Sequence, residues 1–283
     1  MTAPDAPRPA SWSRRAVLRA LAPLPLLAVG GCGGSGDDTA ASTHPSLSLS
    51  PRATGTASAS ASPSAASASP VAFVQPEISL APAVTDAVAL TFHGDGSPEL
   101  ADALLSEAEK AGARLTVLAV GQWLAKYPQM AEHVLKGGHE LGNHTEHHLD
   151  IDAMTESDAY EEIELCAQRL EQLTGSRGRW FRQSQGQHAS SAVRAAATRA
   201  GYGTLLSYDL DPVDYLNPGS TAIVQNVLNK VHGGDVVSMH LGHPETVTAL
   251  PTILAGLRTR GLRAVTASEL FPQSTQTQPT QKS

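Results

Sequence analysis

The feature that most constrains the fold is an alternation of short apolar runs with longer amphipathic stretches between residues 73 and 271. The runs Val88-Ala89-Leu90-Thr91-Phe92 and 115–120 have the length and composition of buried strands. Helical spacing of apolar residues follows at 98–111, where Pro98 suits a first helical turn, and again up to about Leu135. This order predicts an α/β domain with a mainly parallel sheet, either closed into a barrel or open.

The same alternation continues through the rest of the domain. Helices are predicted at 156–173, 190–200, 221–231 and 245–260, and strands near 203–207, 235–240 and 263–267. In such folds the functional side chains gather beyond the carboxyl ends of the strands. The polar residues that follow predicted strands are His93, Asp95, His144, Asp209, Asp211, Asp214 and His240.

The densest group of chemically active side chains is the segment from Gly138 to His148. His144 and His148 are four residues apart, so one helical turn would place both imidazoles on the same side, at a separation suited to one metal ion. Neutral imidazole binds divalent zinc, cobalt or nickel. A histidine pair at this spacing is also common on solvated helix faces, so the pair alone does not establish a metal site.

The N-terminus has the pattern of a targeting segment. Arg14 and Arg15 precede an apolar run at 16–29 that contains no acidic residue, and Ser13 to Leu18 resembles a twin-arginine export signal. Val29-Gly30-Gly31-Cys32 resembles a lipobox, in which Cys32 would be acylated as a lipid anchor; a plain signal peptide is the alternative. The sequence therefore predicts an exported protein, either a lipoprotein at the outer face of the cytoplasmic membrane or a secreted protein.

Composition divides the remainder of the chain. Residues 33–72 are rich in Ser, Ala, Thr, Gly and Pro and predict a disordered tether, as the polar tail at 272–283 predicts a disordered end. Residues 73–271 fit one domain, in which Cys166 is the only cysteine, so no disulfide or thiolate zinc site is expected there. The net charge of −7 and the lack of a basic patch argue against nucleic-acid binding. The protein is expected to be a monomer.

Five short motifs of the domain occur in the order of one known family. They are Leu90-Thr91-Phe92, the segment 138–148, Trp180-Phe181-Arg182, the segment 208–215, and Ser238-Met239-His240. Together they resemble the polysaccharide deacetylase (NodB-homology, carbohydrate esterase family 4-like) family. This resemblance implies a deformed (β/α) barrel that uses a divalent metal to remove acetyl groups from N-acetylated glycans such as peptidoglycan or chitin-like polymers.

The resemblance also implies roles for single residues. His144 and His148 would bind the metal, for which zinc is expected first and cobalt or nickel next. His240 would be the acid that protonates the leaving amine, and Asp214 would be the partner that raises its pKa. Tyr215 stands where the family has tryptophan and would keep an aromatic wall for the sugar or the acetyl methyl group.

The first motif departs from the family pattern. The family has Thr-Phe-Asp-Asp-Gly, with a base followed by a metal ligand, whereas this chain has Thr91-Phe92-His93-Gly94-Asp95-Gly96. Aligned from Thr91, His93 takes the base position; aligned from Gly96, Asp95 takes the ligand position. His93 could complete a three-histidine metal site, or act as the base while Asp95 is the third ligand. Asp95 could equally be a turn residue before glycine.

The third motif departs as well, because Gln183-Ser184-Gln185 replaces the usual prolines and aromatic residue. In the family the arginine orients the base, so Arg182 is expected either to keep a catalytic role or to form an ion pair with Asp209 or Asp211. Gln185 could donate a hydrogen bond to the substrate.

These features predict a metal-dependent hydrolase that removes acetyl groups from cell-envelope or other N-acetylated glycans. The alternatives are an O-acetyl esterase, which needs less protonation of its leaving group, and a tethered glycan-binding protein that has lost catalysis with the missing aspartate. The expected partners are an acetylated glycan and, through the lipid anchor, the membrane.

Overall fold

The computed structural model of this protein describes residues 77–81 and 85–272. The predicted export signal, Cys32, the tether and the tail beyond residue 272 lie outside these residues. Within the described part, every helix is too short or too polar to cross a lipid bilayer.

The elements alternate along the chain as the apolar pattern predicts. The strands are β1 (Glu77–Ile78), β2 (Ala87–Gly94), β3 (Thr116–Ala119), β4 (Glu140–Asn143), β5 (Leu205–Leu206), β6 (Val236–His240) and β7 (Arg263–Val265). The helices are α1 (Pro98–Lys110), α2 (Gly121–Lys126), α3 (Gln129–Lys136), α4 (Glu156–Thr174), α5 (Ser191–Arg199), α6 (Ser220–Leu228), α7 (Pro244–Thr259) and α8 (Ala267–Leu270). Short 3₁₀ turns lie at Ile151–Ala153 and Asp214–Leu216.

All pairings between these strands are parallel. The main sheet has the order β4-β3-β2-β6, with β7 paired to the first residues of β2, and β1 pairs separately with β5. Isolated parallel bridges extend the sheet beyond β4, from Asn143 to Phe181 and from Phe181 to Leu205, and a further one joins Leu210 to Val237 of β6. The prediction of an α/β fold with a mainly parallel sheet is confirmed; the arrangement is compatible with a deformed barrel, but the described strands do not close into one.

Strand β2 is central because both of its faces are covered. Val88, Leu90 and Phe92 point into the core shared with α1 and α7, whereas Ala89 packs on the other face with Trp180. Burial on both faces is why this strand is a continuous apolar run instead of an alternating one. The same alternation of faces puts Thr91 and His93 on the Ala89 side, opposite the face that packs against α1 and α7.

The predicted helix ending near Leu135 is in fact two helices. α2 ends at Lys126 and α3 begins at Gln129, with Pro128 between them. Proline has no N–H to donate and its ring clashes with the preceding turn, so one continuous helix cannot form here. At α1 the sequence signals hold, since the Ser97 hydroxyl accepts a hydrogen bond from the Leu100 N–H ahead of Pro98.

Asp209 lies away from the carboxyl ends of the strands, contrary to its expected place among the clustered polar residues. Its Oδ1 accepts a hydrogen bond of 2.8 Å from the N–H of Val236, at the amino end of β6. Although the residue as a whole is exposed, partial desolvation of its carboxyl group, and after it the negative charge of Asp235, raises the pKa of Asp209 to about 6. Because this pKa is raised in the folded state, stability falls as the pH rises from about 4 toward about 6.

We expect Asp209→Asn to raise the melting temperature at pH 8, because the amide oxygen can still accept from Val236 while the charge is removed. The advantage over the wild type should shrink as the pH falls and vanish near pH 4, where the carboxyl is protonated. Thermal unfolding over this pH range measures it, with Glu161→Gln on the exposed face of α4 as control. An advantage that does not depend on pH would contradict the assignment.

Candidate metal centre and active site

The polar side chains meet where the carboxyl ends of β2, β4 and β6 converge. His93 and His240 are direct neighbours in the register of β2 and β6, and His144 follows β4 immediately. A cavity of about 610 Å³ opens at this edge, and its lining includes His93, His148, Tyr215 and His240. The structure therefore gathers residues from distant parts of the chain around one cavity.

Three histidines form a group able to hold a metal ion. One ring nitrogen from each of His93, His144 and His148 lies within 4.8 Å of the other two. Nδ1 of His93 and Nε2 of His144 are buried and have no hydrogen-bond partner among the described residues. His144 Nδ1 lies 3.0 Å from the carbonyl oxygen of Arg182, which can only accept, so that nitrogen carries the hydrogen and Nε2 keeps its lone pair.

The electrostatics of the group favour the form of imidazole that binds metals. Burial, and then the charge of neighbouring histidines, lowers the pKa of His93 and of His144 well below the usual value. Burial also lowers the pKa of His148. All three rings are therefore neutral near pH 7, as ligation requires. Since buried nitrogens without a partner are costly, a divalent metal fits these residues.

The segment from His144 to His148 is a loop, so the prediction of one helical turn is wrong. Thr145 and His148 have φ angles of 71° and 55°, in the left-handed region, which costs about 1–3 kcal/mol for each such residue. The Asn143 side chain accepts from the Thr145 N–H, and the Thr145 hydroxyl accepts from the His148 N–H. These side chains take the backbone donors that a helix would need, yet the two imidazoles still lie side by side, with ring centroids 4.8 Å apart.

Asp95 lies outside the three-histidine group. It is exposed, and its Oδ1 accepts a hydrogen bond of 2.7 Å from the N–H of Gly96, which is turn geometry. Its charge still acts on His148, where it opposes the lowering of the pKa. Gly94 leaves no room for a side chain, because a Cβ there would come within 2.8 Å of Val117 Cγ1. His93 is consequently the side chain that the first motif contributes to the group.

His240 and Asp214 form a second unit beside the histidines. His240 Nδ1 lies 2.7 Å from Asp214 Oδ1, and the His240 N–H donates to Asp214 Oδ2 over 2.9 Å. Asp214 is fully buried and also accepts from the hydroxyl of Thr246 over 2.7 Å. Thr246 carries no motif signal, so only the structure identifies it. The exposed ring of Tyr215 lies 5.5 Å from that of His240 and forms one wall of the cavity.

Arg182 forms neither of the ion pairs expected with Asp209 and Asp211. Asp211 instead accepts from the Val213 N–H, and Asp209 lies at the other end of β6. The fully buried guanidinium donates to the carbonyl oxygens of Leu206 and Ser207 and to the hydroxyls of Thr91 and Ser238. It is absent from the cavity lining, so its role in this structure is to join strands.

Gln185 lines the cavity but already donates one hydrogen bond of 2.8 Å to the carbonyl oxygen of His148. Its φ angle of 58° places it in the left-handed region as well. The third motif thus holds the histidine loop at two points, through Gln185 and through the Arg182 carbonyl.

Comparison with known proteins gives the class. Residues 82–205 match the family model described as polysaccharide deacetylase. A peptidoglycan-N-acetylglucosamine deacetylase of Bacillus cereus is 34% identical over 188 residues, which cover 65% of this chain and 87% of that protein. This chain belongs to the polysaccharide deacetylase family.

Solved structures agree with this membership. A family 4 carbohydrate esterase from Streptomyces lividans, determined in complex with acetate, has a TM-score of 0.60 at 26% identity and covers 64% of this chain and 93% of that one. A CE4 family pseudoenzyme from Bacillus anthracis shares the fold with a TM-score of 0.65 at 23% identity, over 69% of each chain. The resemblance drawn from the five motifs is confirmed.

Proposed function

We propose that His93, His144 and His148 hold a divalent metal, zinc first and cobalt or nickel next. The observation that carries the proposal is that His93 and His144 each keep a buried ring nitrogen without a partner among the described residues. A metal bound there would supply Lewis-acid activation of an acetyl carbonyl and acidify bound water. Asp95 remains the alternative third ligand.

The proposed reaction is hydrolysis of an acetyl group on a glycan. Asp214 accepts from His240 Nδ1–H and so fixes the ring, which leaves Nε2 free of that contact. In the imidazolium form Nε2 carries the second proton, and it is this proton that His240 would give to the leaving amine. Tyr215 offers an aromatic wall to the sugar or to the acetyl methyl group. The names of relatives, peptidoglycan-N-acetylglucosamine deacetylase and chitooligosaccharide deacetylase, support an N-acetylated glycan as substrate.

The missing carboxylate of the first motif bears on the rate. The pKa of His93 is lowered well below its usual value by burial, so this ring is a poor general base. Losing a positioned base typically costs ~10²–10⁴ in rate, and we propose turnover slowed by that order. An O-acetyl ester would tolerate the loss better than an amide, because its leaving group needs less protonation.

The missing carboxylate also favours a second candidate function. This is a glycan-binding protein that keeps the cavity and the metal but no longer catalyses hydrolysis. The survival of the His240 and Asp214 pair, with Thr246 behind it, favours the enzyme. Measured turnover separates the two.

The ligand assignment predicts the metal content of variants. We expect the wild type, after supplementation with zinc, to hold about one metal ion per chain, and His93→Ala and His144→Ala to lose most of it. Asp95→Ala should keep its metal, because Asp95 lies outside the group. Mass spectrometry of the purified full chain measures the stoichiometry.

Metal that vanishes in Asp95→Ala and stays in His93→Ala would reverse the assignment and restore Asp95 as the third ligand. A wild type without metal after supplementation with zinc, cobalt or nickel would remove the metal-dependent hydrolase and favour the binding protein.

The acid assignment predicts that His240→Ala keeps its metal but loses at least ~10²-fold in turnover of N-acetylated glycan oligomers, since the amine leaves unprotonated. Release of acetate measures the rate, with an O-acetylated glycan assayed beside the amide and exposed His232→Ala as control. An unchanged rate in His240→Ala would refute the role of His240. No turnover of either substrate by the metal-loaded wild type would establish the binding protein.

We propose, from Arg14, Arg15 and the lipobox at Cys32, that the chain is exported and held as a monomer at the membrane by an acylated Cys32. Several acyl chains on one residue exceed what stable membrane attachment needs. In a bacterial host we expect Cys32→Ser to move the protein from the membrane fraction to the soluble exported fraction. A variant that stays with the membranes would contradict the anchor.

A further inference from the structure

We propose that Glu162 is a positioning residue for the metal-binding loop, and that its carboxylate sets the metal affinity without touching the metal. The proposal rests on the metal site proposed for His93, His144 and His148. Glu162 lies on α4 and is 8% exposed, whereas its neighbour Glu161 faces solvent.

The Glu162 carboxylate contacts the loop at His147, which lies between His144 and His148 in the sequence. Its Oε2 accepts a hydrogen bond of 2.9 Å from the N–H of His147, and its Oε1 lies 2.5 Å from Nδ1 of the same residue. The carbonyl oxygen of Glu162 also accepts from the N–H of Glu146 over 3.0 Å. One residue of α4 therefore satisfies two consecutive backbone donors and one side chain of the loop.

The loop needs such a restraint because its backbone is held in an unfavourable conformation. The backbones of Thr145 and His148 both lie in the left-handed region that residues with a Cβ disfavour. The two residues lie on either side of His147. Without an external restraint the segment can relax, and relaxation would change the separation between the rings of His144 and His148. A carboxylate of this kind acts as the outer support that orients metal ligands.

Other contacts hold the loop at Glu146, so Glu162 is the residue of α4 that holds His147. Arg169 pairs with Glu146, and the Gln122 N–H donates to the Glu146 carbonyl oxygen, so the loop is also held one residue earlier. Neither contact reaches His147 or His148. Loss of Glu162 is therefore expected to loosen the His148 side of the site, where Gln185 would still hold the carbonyl oxygen of His148, while the attachment at Glu146 remains.

The test is the zinc dissociation constant of the purified full chain, measured by competition with a chromophoric chelator. We expect Glu162→Ala to weaken zinc binding about 10- to 100-fold. His147→Ala should weaken it less, because the backbone N–H of residue 147 can still donate to Glu162. Glu162→Gln, which keeps an acceptor for that N–H, should lie between the wild type and Glu162→Ala, and Glu161→Ala should match the wild type.

The melting temperature of each metal-free variant separates positioning from a merely structural role. A structural role would lower the metal-free melting temperature of Glu162→Ala and leave its zinc affinity, measured on folded protein, unchanged; that result would overturn the proposal. If Glu162→Ala does not fold, the zinc affinities of Glu162→Gln and His147→Ala test the proposal instead. Wild-type zinc affinity in both variants would overturn the positioning role of Glu162. A wild type that binds no zinc would instead refute the metal site on which the proposal depends.

Discussion

The described fold depends on one buried side chain, the guanidinium of Arg182. The sheet is continuous from β4 to β6, whereas Phe181, Leu205 and Leu210 are joined by isolated bridges. Arg182 connects these parts, since it donates to the hydroxyl of Thr91 on β2 and to the carbonyl of Leu206 on β5. Its backbone N–H donates to the Asn143 carbonyl and its own carbonyl accepts from His144. The strands and the ring of His144 are thus held by the same residue.

The buried positive charge of Arg182, which is held by neutral acceptors, influences the protonation of the side chains near it. Its charge contributes to the low pKa of His93. The pKa of Arg182, lowered by burial to about 9, still leaves it protonated at neutral pH, and hydrogen bonds to carbonyls and hydroxyls offset the cost of its burial. In the family pattern a carboxylate follows the Thr-Phe pair of the first motif. Here a neutral His93 takes that position, which suits a ligand better than a proton acceptor.

The site divides into two halves with different supports. His240 is held by a buried carboxylate that three donors satisfy, and the turn that carries this carboxylate is flanked by the left-handed residues Val213 and Asn217. His148 lies on a loop with strained residues, and that loop is held from outside by α4 and by the third motif. Hydrogen bonds to one buried carboxylate therefore fix the first half, and contacts from α4 and the third motif fix the second.

The sequence by itself determined which elements form and in what order, because strands buried on both faces and helices with apolar stripes leave periodic patterns. It also determined the family and the residues near the cavity, since the carboxyl ends of parallel strands share one edge. It could not say whether the side chain of His93 or that of Asp95 lies beside His144 and His148, give the loop conformation at 144–148, or find the hydrogen-bond partners of Arg182. Those depend on which backbone donors are already satisfied, on the space around Gly94, and on residues far apart in the chain such as Glu162 and Thr246. Only the packed structure brings these groups within hydrogen-bonding distance, so only the tertiary structure decided them.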